Sequence, residues 1–292
     1  WHHKFDYPDY LNKKTVFITG VTGSMGGAGL KELLTRRERF NLVTLVRTSA
    51  ANKKKLRELE HEPGLRIVWG DLTRYQDVLE CVNGADIVLH PAAFISPAAD
   101  HDPATARAIN VGSAENIVRA IKAQPDPDAV KLVNIGSVAM TGDRLYPIHV
   151  GRTGDPLKPS IYDAYACSKI DAERVVAESG LRYWVSCRQT FIAIPDTMGL
   201  MDPIMFHQPL TTCIEFCTDA DAGRLLANAC EDHVPEAFWR RFYNIGGGPG
   251  ARLTYLQLMT RVYAALGLGE PADLCERRWF ALRNFHCHWY ED

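Results

Sequence analysis

Six short apolar runs separated by segments of helical length constrain this chain more than any other feature. "KTVFITG", "NLVTLVR", "LRIVWGD", "ADIVLHPAA", "VKLVNIGS" and "LRYWVSCR" are of strand length and rich in Val, Ile and Leu, as strands covered on both faces are. Between them lie "GLKELLTRRE", "AANKKKLRELE", "RYQDVLECVNG", "TARAINVGSAENIVRAIKAQ" and "DAYACSKIDAERVVAESG". This alternation predicts right-handed βαβ crossovers and an α/β fold built on a doubly wound parallel sheet. "QPDPD" at Gln124 to Asp128 reads as a crossover loop, because a strand pattern resumes at once. After Arg188 the rhythm breaks. "PDTMGLMDPIMFHQP" reads as a loop, then "DADAGRLLANACE", "RFYNIGG" and "TYLQLMTRVYAALG" give one more helix, strand and helix before the tail "RRWFALRNFHCHWYED". The division predicted is a nucleotide-binding domain over 13–188, rejoined by elements around 212–248, and a smaller, mostly helical substrate-binding part over 189–292.

Composition removes several function classes. The chain has 292 residues, 46% hydrophobic, 23% charged and a formal net charge of -2. That leaves no basic field for nucleic acid, and a small-molecule function becomes the default. No apolar run reaches the roughly 18 residues of a membrane span, and the start at Trp1 leaves a removed leader open. Cys81, Cys167, Cys187, Cys213, Cys217, Cys230, Cys275 and Cys287 are dispersed with no C-x-x-C pair. They read as reduced thiols of a cytoplasmic protein. "HCH" at His286 to His288 has no second ligand pair, and neighbouring residues point apart, so no metal is expected.

At the first strand-to-helix turn stands "FITGVTGSMGGAGLKELL", with Gly20, Gly23 and Gly26 spaced T-G-x-x-G-x-x-G. A glycine-rich turn opening a helix lets backbone N–H groups approach a pyrophosphate, whose charge suits the helix N-terminus. Gly20 is expected to form the tight turn, Gly23 the close approach and Gly26 the helix-to-sheet contact. Thr22, Ser24 and Met25 complete the candidate site. Gly27 and Gly29 fall on the following helix as packing positions.

This turn resembles the nucleotide fingerprint of the extended short-chain dehydrogenase/reductase family, the epimerase- and dehydratase-like branch of the Rossmann-type folds. Further segments resemble the same family in order, up to about Gly248: "GDLT", "HPAAFISP", "INVGSAENIV", "NIGSVAMTGD", "YDAYACSK" and "FYNIGGG". The resemblance implies that Asp71 and Leu72 meet adenine, and that Pro91, Ala92 and Ala93 lie along the cofactor. It also implies a catalytic set of Ser137, Tyr165, Lys169 and Asn110, with Asn110 supporting a link to Lys169, and a homodimer through the helices of Asn110 and Tyr165.

Tyr-x-x-x-Lys alone is weak, since Tyr10 and Lys14 match it before the first strand. Tyr165 and Lys169 fall on a predicted helix downstream of Ser137, where residues four apart share a face. A nearby ammonium is expected to lower the tyrosine pKa and make Tyr165 a usable acid/base. Ser137 is expected to hold the substrate oxygen, and Lys169 also to contact the nicotinamide ribose. After the second strand "LVRTSAANKKK" holds no acid for a ribose 2′-OH, while Arg47 stands at the strand end with Ser49 and Lys53 behind. A planar guanidinium suits a 2′-phosphate, so NADP(H) is expected over NAD(H). Lys54 and Lys55 read as a solvated face.

"SVAMTG" carries no Asp-Glu pair for a sugar-nucleotide elimination. Gln189, Thr190 and Glu215 stand near positions where such epimerases hold the nucleotide, which argues against a charged diphosphate substrate. The Met-, Phe- and Trp-rich end suits an apolar or aromatic molecule or forms the small domain's core. The expected function is an NADP(H)-dependent reductase interconverting a ketone or aldehyde and an alcohol on a non-nucleotide substrate. The alternatives are an epimerase with transient hydride transfer and a non-catalytic NADP(H)-sensing protein.

Overall fold

β1 (Lys14–Thr19), β2 (Phe40–Val46), β3 (Leu65–Trp69), β4 (Ile87–His90) and β5 (Lys131–Ser137) alternate with α1 (Ser24–Leu34), α2 (Ala50–Leu56), α3 (Tyr75–Val82), α4 (Ala98–His101) and α5 (Pro103–Lys122). The computed structural model describes residues 13–142, 150–194, 203–283 and 289–290. Next come β6 (Val150–Gly151), α6 (Ala164–Ala177), β7 (Tyr183–Gln189), β8 (Phe191–Ala193), β9 (Cys213–Thr218), α7 (Asp219–Asn228), β10 (Arg241–Ile245), β11 (Arg252–Thr254), α8 (Tyr255–Leu266), α9 (Pro271–Leu274) and β12 (Trp289–Tyr290).

The main sheet has seven strands in the order β10-β7-β5-β4-β1-β2-β3, and every pairing is parallel. This is the doubly wound α/β arrangement, with the order reversing between β1 and β4, where ligands of such sheets bind. Alternate residues feed the two faces. Val16 and Ile18 pack with α1 and α7 residues such as Leu30, Leu33 and Leu226, while Phe17 packs with Val78, Ile117, Ile121 and Ala172 of α3, α5 and α6. Two glycines let α1 and α7 close together: a Cβ on Gly223 would stand 2.6 Å from the Ala28 carbonyl carbon, and one on Gly29 2.7 Å from Leu226 Cδ1.

Local chemistry sets the helix starts. Asp102 caps α5 through the Thr105 N–H at 3.0 Å with Pro103 in the first turn, and Asp163 caps α6 through the Ala166 N–H at 2.8 Å. Past Arg188, β10 joins the main sheet and α7 packs on α1, while β11, β9 and β8 form a separate three-stranded sheet. Those three strands escape periodicity because they are three to six residues long, and "CIEFCT" places a charge mid-run. Phe206, Trp279, Phe280 and Tyr255 pack edge-on into a cluster beside α8. His286 to His288, Tyr10 and the loop 195–202 lie outside the described residues.

Candidate active site

All seven main strands run one way, so Thr19, Val46, Trp69, His90, Ser137 and Gln189 end at one edge of the sheet. The glycine turn sits on that edge. Gly20 has φ +65°, a region few side chains tolerate, and a Cβ there would lie 2.9 Å from Ala92 Cα. Gly26 lies against the turn itself: a Cβ would strike the Gly20 carbonyl oxygen and come within 2.8 Å of the Thr19 carbonyl oxygen. Gly23 caps α1 without a side-chain bond, and no acid lies in the first turn. The cradle therefore fits an anionic pyrophosphate by shape and by charge. Ser24 and Gly23 are exposed, whereas the Met25 side chain belongs to the core, so only its backbone faces the turn.

Behind the turn runs a buried polar chain the sequence did not reveal. His90, 2% exposed, meets Thr19 Oγ1 at 3.0 Å through Nδ1 and Ser113 Oγ at 3.0 Å through Nε2. Thr19 Oγ1 also accepts from the Ala92 N–H at 3.2 Å. Burial first, and then the Lys169 charge, hold the imidazole down at about 3, so it stays neutral. The result ties β1, β4 and α5 together at the switch point, with Pro91, Ala92 and Ala93 half-buried beside the glycine turn.

Asn110 clasps the next residue of that loop from both sides. Its Oδ1 accepts from the Phe94 N–H at 2.7 Å, and its Nδ2 donates to the Phe94 carbonyl at 2.9 Å and to Ser168 Oγ at 2.8 Å. Ser168 donates in turn to the Tyr165 carbonyl at 2.7 Å. Asn110 thus bridges the cofactor-side loop to α6, one residue from Lys169.

Ser137 closes β5 and is 7% exposed. Its hydroxyl accepts from the Ala139 N–H at 3.2 Å and lies near the Tyr165 phenol. With Ala139 donating, the hydroxyl proton is directed outward, toward Tyr165 or a substrate oxygen. Lys169 lies one helical turn beyond Tyr165 and is 4% exposed. Burial lowers the Lys169 ammonium to about 8, with Glu173 pulling the other way. The expected depression of Tyr165 is not what the structure gives. Its pKa is raised, because loss of water around the phenol outweighs the opposing influence of the nearby Ser137 hydroxyl.

Past the end of β2, where the adenosine is expected from the sequence, Arg47 is exposed, Ser49 caps α2 through the Asn52 N–H at 3.1 Å, and α2 has no acid in its first turn. Lys55, read from the sequence as solvated, instead donates to the Thr22 carbonyl of the glycine turn at 3.0 Å. Lys53 extends over the Trp69 ring at 5.9 Å. Asp71 turns its Oδ1 onto the Thr73 N–H and hydroxyl at 2.8 and 2.7 Å, and the Leu72 carbonyl accepts from Asn116 at 2.9 Å. A surface depression of about 370 Å³ lined by Thr15, Asn41, Gly64, Arg66 and Gly84 opens near the starts of β1, β2 and β3 and holds none of these groups.

Gln189, Thr190 and Glu215, which in the sequence argue against a charged diphosphate substrate, bond inside the protein. Gln189 pairs in register with Ser137, and its Nε2 donates to Cys217 Sγ at 3.0 Å. The Thr190 hydroxyl donates to the Glu215 carbonyl, and the Glu215 carboxylate, 2% exposed, accepts from the Gly248 N–H and Arg252 Nε at 3.0 Å each. No group of three or more metal-ligating side chains occurs among the described residues, nor is any helix there long and apolar enough to cross a membrane.

Fold and site together define a Rossmann-type protein with a pyrophosphate cradle and a Ser–Tyr–Lys group on the same sheet edge. The chain belongs to the NAD dependent epimerase/dehydratase family, whose model matches residues 16–190. It is 30% identical over 173 residues to the UDP-glucose 4-epimerase of Rickettsia akari, covering 57% of this chain and 48% of that protein. To the UDP-glucose 4-epimerase of Rickettsia typhi it is 26% identical over 199 residues, 67% of this chain and 53% of that one. The chain thus spans about half the length of these relatives. Similar folds include the dTDP-glucose 4,6-dehydratase DesIV of Streptomyces venezuelae, solved with NAD and TYD bound, at TM-score 0.75, 19% identity and 95% and 88% coverage of the two chains. A Bacillus cereus UDP-glucuronic acid 4-epimerase variant, solved with NAD and a fluorinated UDP-glucuronic acid, gives TM-score 0.71, 17% identity and 88% and 84% coverage.

Proposed function

We propose that this chain is an NAD(P)-dependent, epimerase-type enzyme that inverts a hydroxyl-bearing carbon of a small molecule through a transient ketone. The observation that carries this reading is Ser137 at the end of β5 beside the Tyr165 phenol, with Lys169 buried one turn further along α6. Bound nicotinamide supplies reversible hydride exchange. Tyr165, a phenol in the free chain, acts as the phenolate that the Lys169 ammonium favours: it takes the hydroxyl proton from the substrate oxygen, becoming a phenol, and later returns that proton, while Ser137 holds the oxygen. The family match and the epimerase relatives support this over the net reduction expected from the sequence.

Net oxidation or reduction of an apolar substrate is the second reading. It is favoured by the internal commitment of Gln189, Thr190 and Glu215 and by the aromatic cluster around Phe206 and Phe280. Absorbance at 340 nm separates the two: an epimerase turns over with no net change, a reductase consumes reduced cofactor. Under either reading Tyr165→Phe is expected to cut turnover by about 10²-fold or more with the fold and dinucleotide affinity retained. Full turnover in that variant would refute the role of Tyr165.

The proposed cofactor is NADP(H), from Arg47 exposed just past β2, Lys55 reaching the Thr22 carbonyl of the glycine turn, and no acid in the first turn of α2. At 100 times its dissociation constant the preferred dinucleotide should stabilise the fold by about 2.7 kcal/mol, and Arg47→Ala should erase the preference. Stabilisation by NAD and not by NADP would overturn it. The seven described cysteines are free thiols, which supports a reducing, cytoplasmic setting. The Arg107–Asp171 ion pair on the outer faces of α5 and α6 marks where the homodimer contact is proposed.

A further inference from the structure

Four residues beyond Lys169 on the same face of α6 stands Glu173, and each of the two is 4% exposed. A carboxylate so deeply buried is tolerated only with strong partners. Arg188 supplies them, with Nε at 3.1 and 3.3 Å from the two carboxylate oxygens and Nη2 at 2.7 Å, and the Ser186 hydroxyl donates at 2.8 Å. Arg188 also donates to the Thr153 carbonyl at 3.0 Å and lies 5.1 Å from the Phe242 ring centroid.

The pair is wedged against the strand end that carries Ser137. Arg188 stands in register with Gly136, and a Cβ on Gly136 would lie 3.2 Å from Arg188 Cγ and 3.4 Å from Glu173 Oε2. One buried ion pair therefore touches β5 beside Ser137, β7, and α6 beneath Lys169. As a mere fastener it is a poor choice, because apolar residues of equal volume often join a helix to a sheet as well or better.

We propose that Glu173, held by Arg188, is a positioning residue that keeps Lys169 charged and seated on the Tyr165 face of α6. This rests on the function proposed above. The other charged or titratable groups around this face do not supply that charge. His90 on β4 is neutral, Tyr165 remains a phenol, and burial keeps Cys187 on β7 a thiol. Asp163 caps α6 through the Ala166 N–H, Asp100 on α4 accepts from the Tyr165 N–H, and Arg107 on α5 pairs with Asp171 at the surface. The titration of Lys169 agrees in sign, with burial lowering it and Glu173 raising it.

The test measures affinity against pH for NADPH and NADH, which carry the nicotinamide ribose, and for 2′,5′-ADP and ADP, which lack it. It uses the native chain, Glu173→Gln, and Glu173→Gln/Arg188→Met, each with thermal melting. Native affinity for the reduced dinucleotide should weaken only above about pH 8, where Lys169 loses its proton. In both variants the midpoint should fall by at least about one unit, a difference of about tenfold at pH 9, with fragment affinity changed by less than about twofold. The double variant leaves no buried charge from the pair unmatched and should melt close to native. A native pH profile in that double variant overturns the proposal, as does parallel loss of fragment and dinucleotide binding. If the native chain binds neither dinucleotide, the proposed function falls and this inference with it.

Discussion

The edge of the main sheet and the small sheet beyond Gln189 spend their polar groups in opposite ways. Along the main edge, side chains position backbone and leave it open: Thr19, His90 and Ser113 brace the switch point, Asn110 clasps Phe94, and the first turn of α1 carries no side-chain cap. Where β7 leads into the small sheet, Gln189, Thr190 and Glu215 turn inward to Cys217, to the Glu215 carbonyl, and to Arg252 with Gly248. A parallel sheet with helices on both faces frees strand ends and helix N-termini for a ligand. A short antiparallel and parallel ladder has to consume its own polar groups to stay joined. The frame thus leaves polar backbone open at its strand ends, while the small sheet is held together by its own side chains.

The sharpest way to break this contrast is at Glu215. Glu215→Gln removes the buried charge facing Arg252 and should destabilise the chain by on the order of 3 kcal/mol, read by denaturant unfolding, while dinucleotide affinity is unchanged. A matching loss of affinity would show that the two regions are one unit. Gly26→Ala should do the reverse. Its Cβ meets the Gly20 and Thr19 backbone, so dinucleotide binding should fall by more than about tenfold with a stability cost of about 2 kcal/mol, and titration calorimetry would detect retained binding if the cradle tolerates it.

Near neutral pH the smallest effect concerns His90, which acts only in acid. Its folded pKa of about 3 lies below the unfolded value of 6.5, so between those limits the unfolded chain binds the extra proton. Stability associated with His90 is therefore present above pH 6.5 and lost as pH falls toward 3, by up to about 1.4 kcal/mol per pH unit. His90→Gln should flatten that part of the pH–stability curve. An identical slope in the variant would mean that other groups set it.

Much of the frame is legible without coordinates. Strand runs such as "VKLVNIGS" are buried on both faces and read continuously, Gly20 and Gly26 announce a turn that only glycine fits, and Tyr165 and Lys169 share a helix face by spacing alone. The same spacing continued to Glu173 marked a third residue on that face, a signal present in the sequence and not used. His90, Arg188 and Lys55 gave no such signal. Their partners Thr19, Glu173 and Thr22 lie 71, 15 and 33 residues away, and no local pattern records a pairing across a crossover. β8, β9 and β11 were illegible because their runs are too short for a period to show.

By itself the sequence determined the parallel α/β frame, the glycine turn at the head of α1 and the shared helix face of Tyr165 and Lys169, because periodicity, glycine geometry and helical spacing act over a few residues. Only the tertiary structure decided that the Tyr165 pKa lies above its ordinary value, that Lys169 sits over a buried Glu173–Arg188 pair, and that Lys55 reaches the glycine turn. Those outcomes depend on burial and on charges brought together from distant parts of the chain, and both exist only once the helices have packed on the sheet.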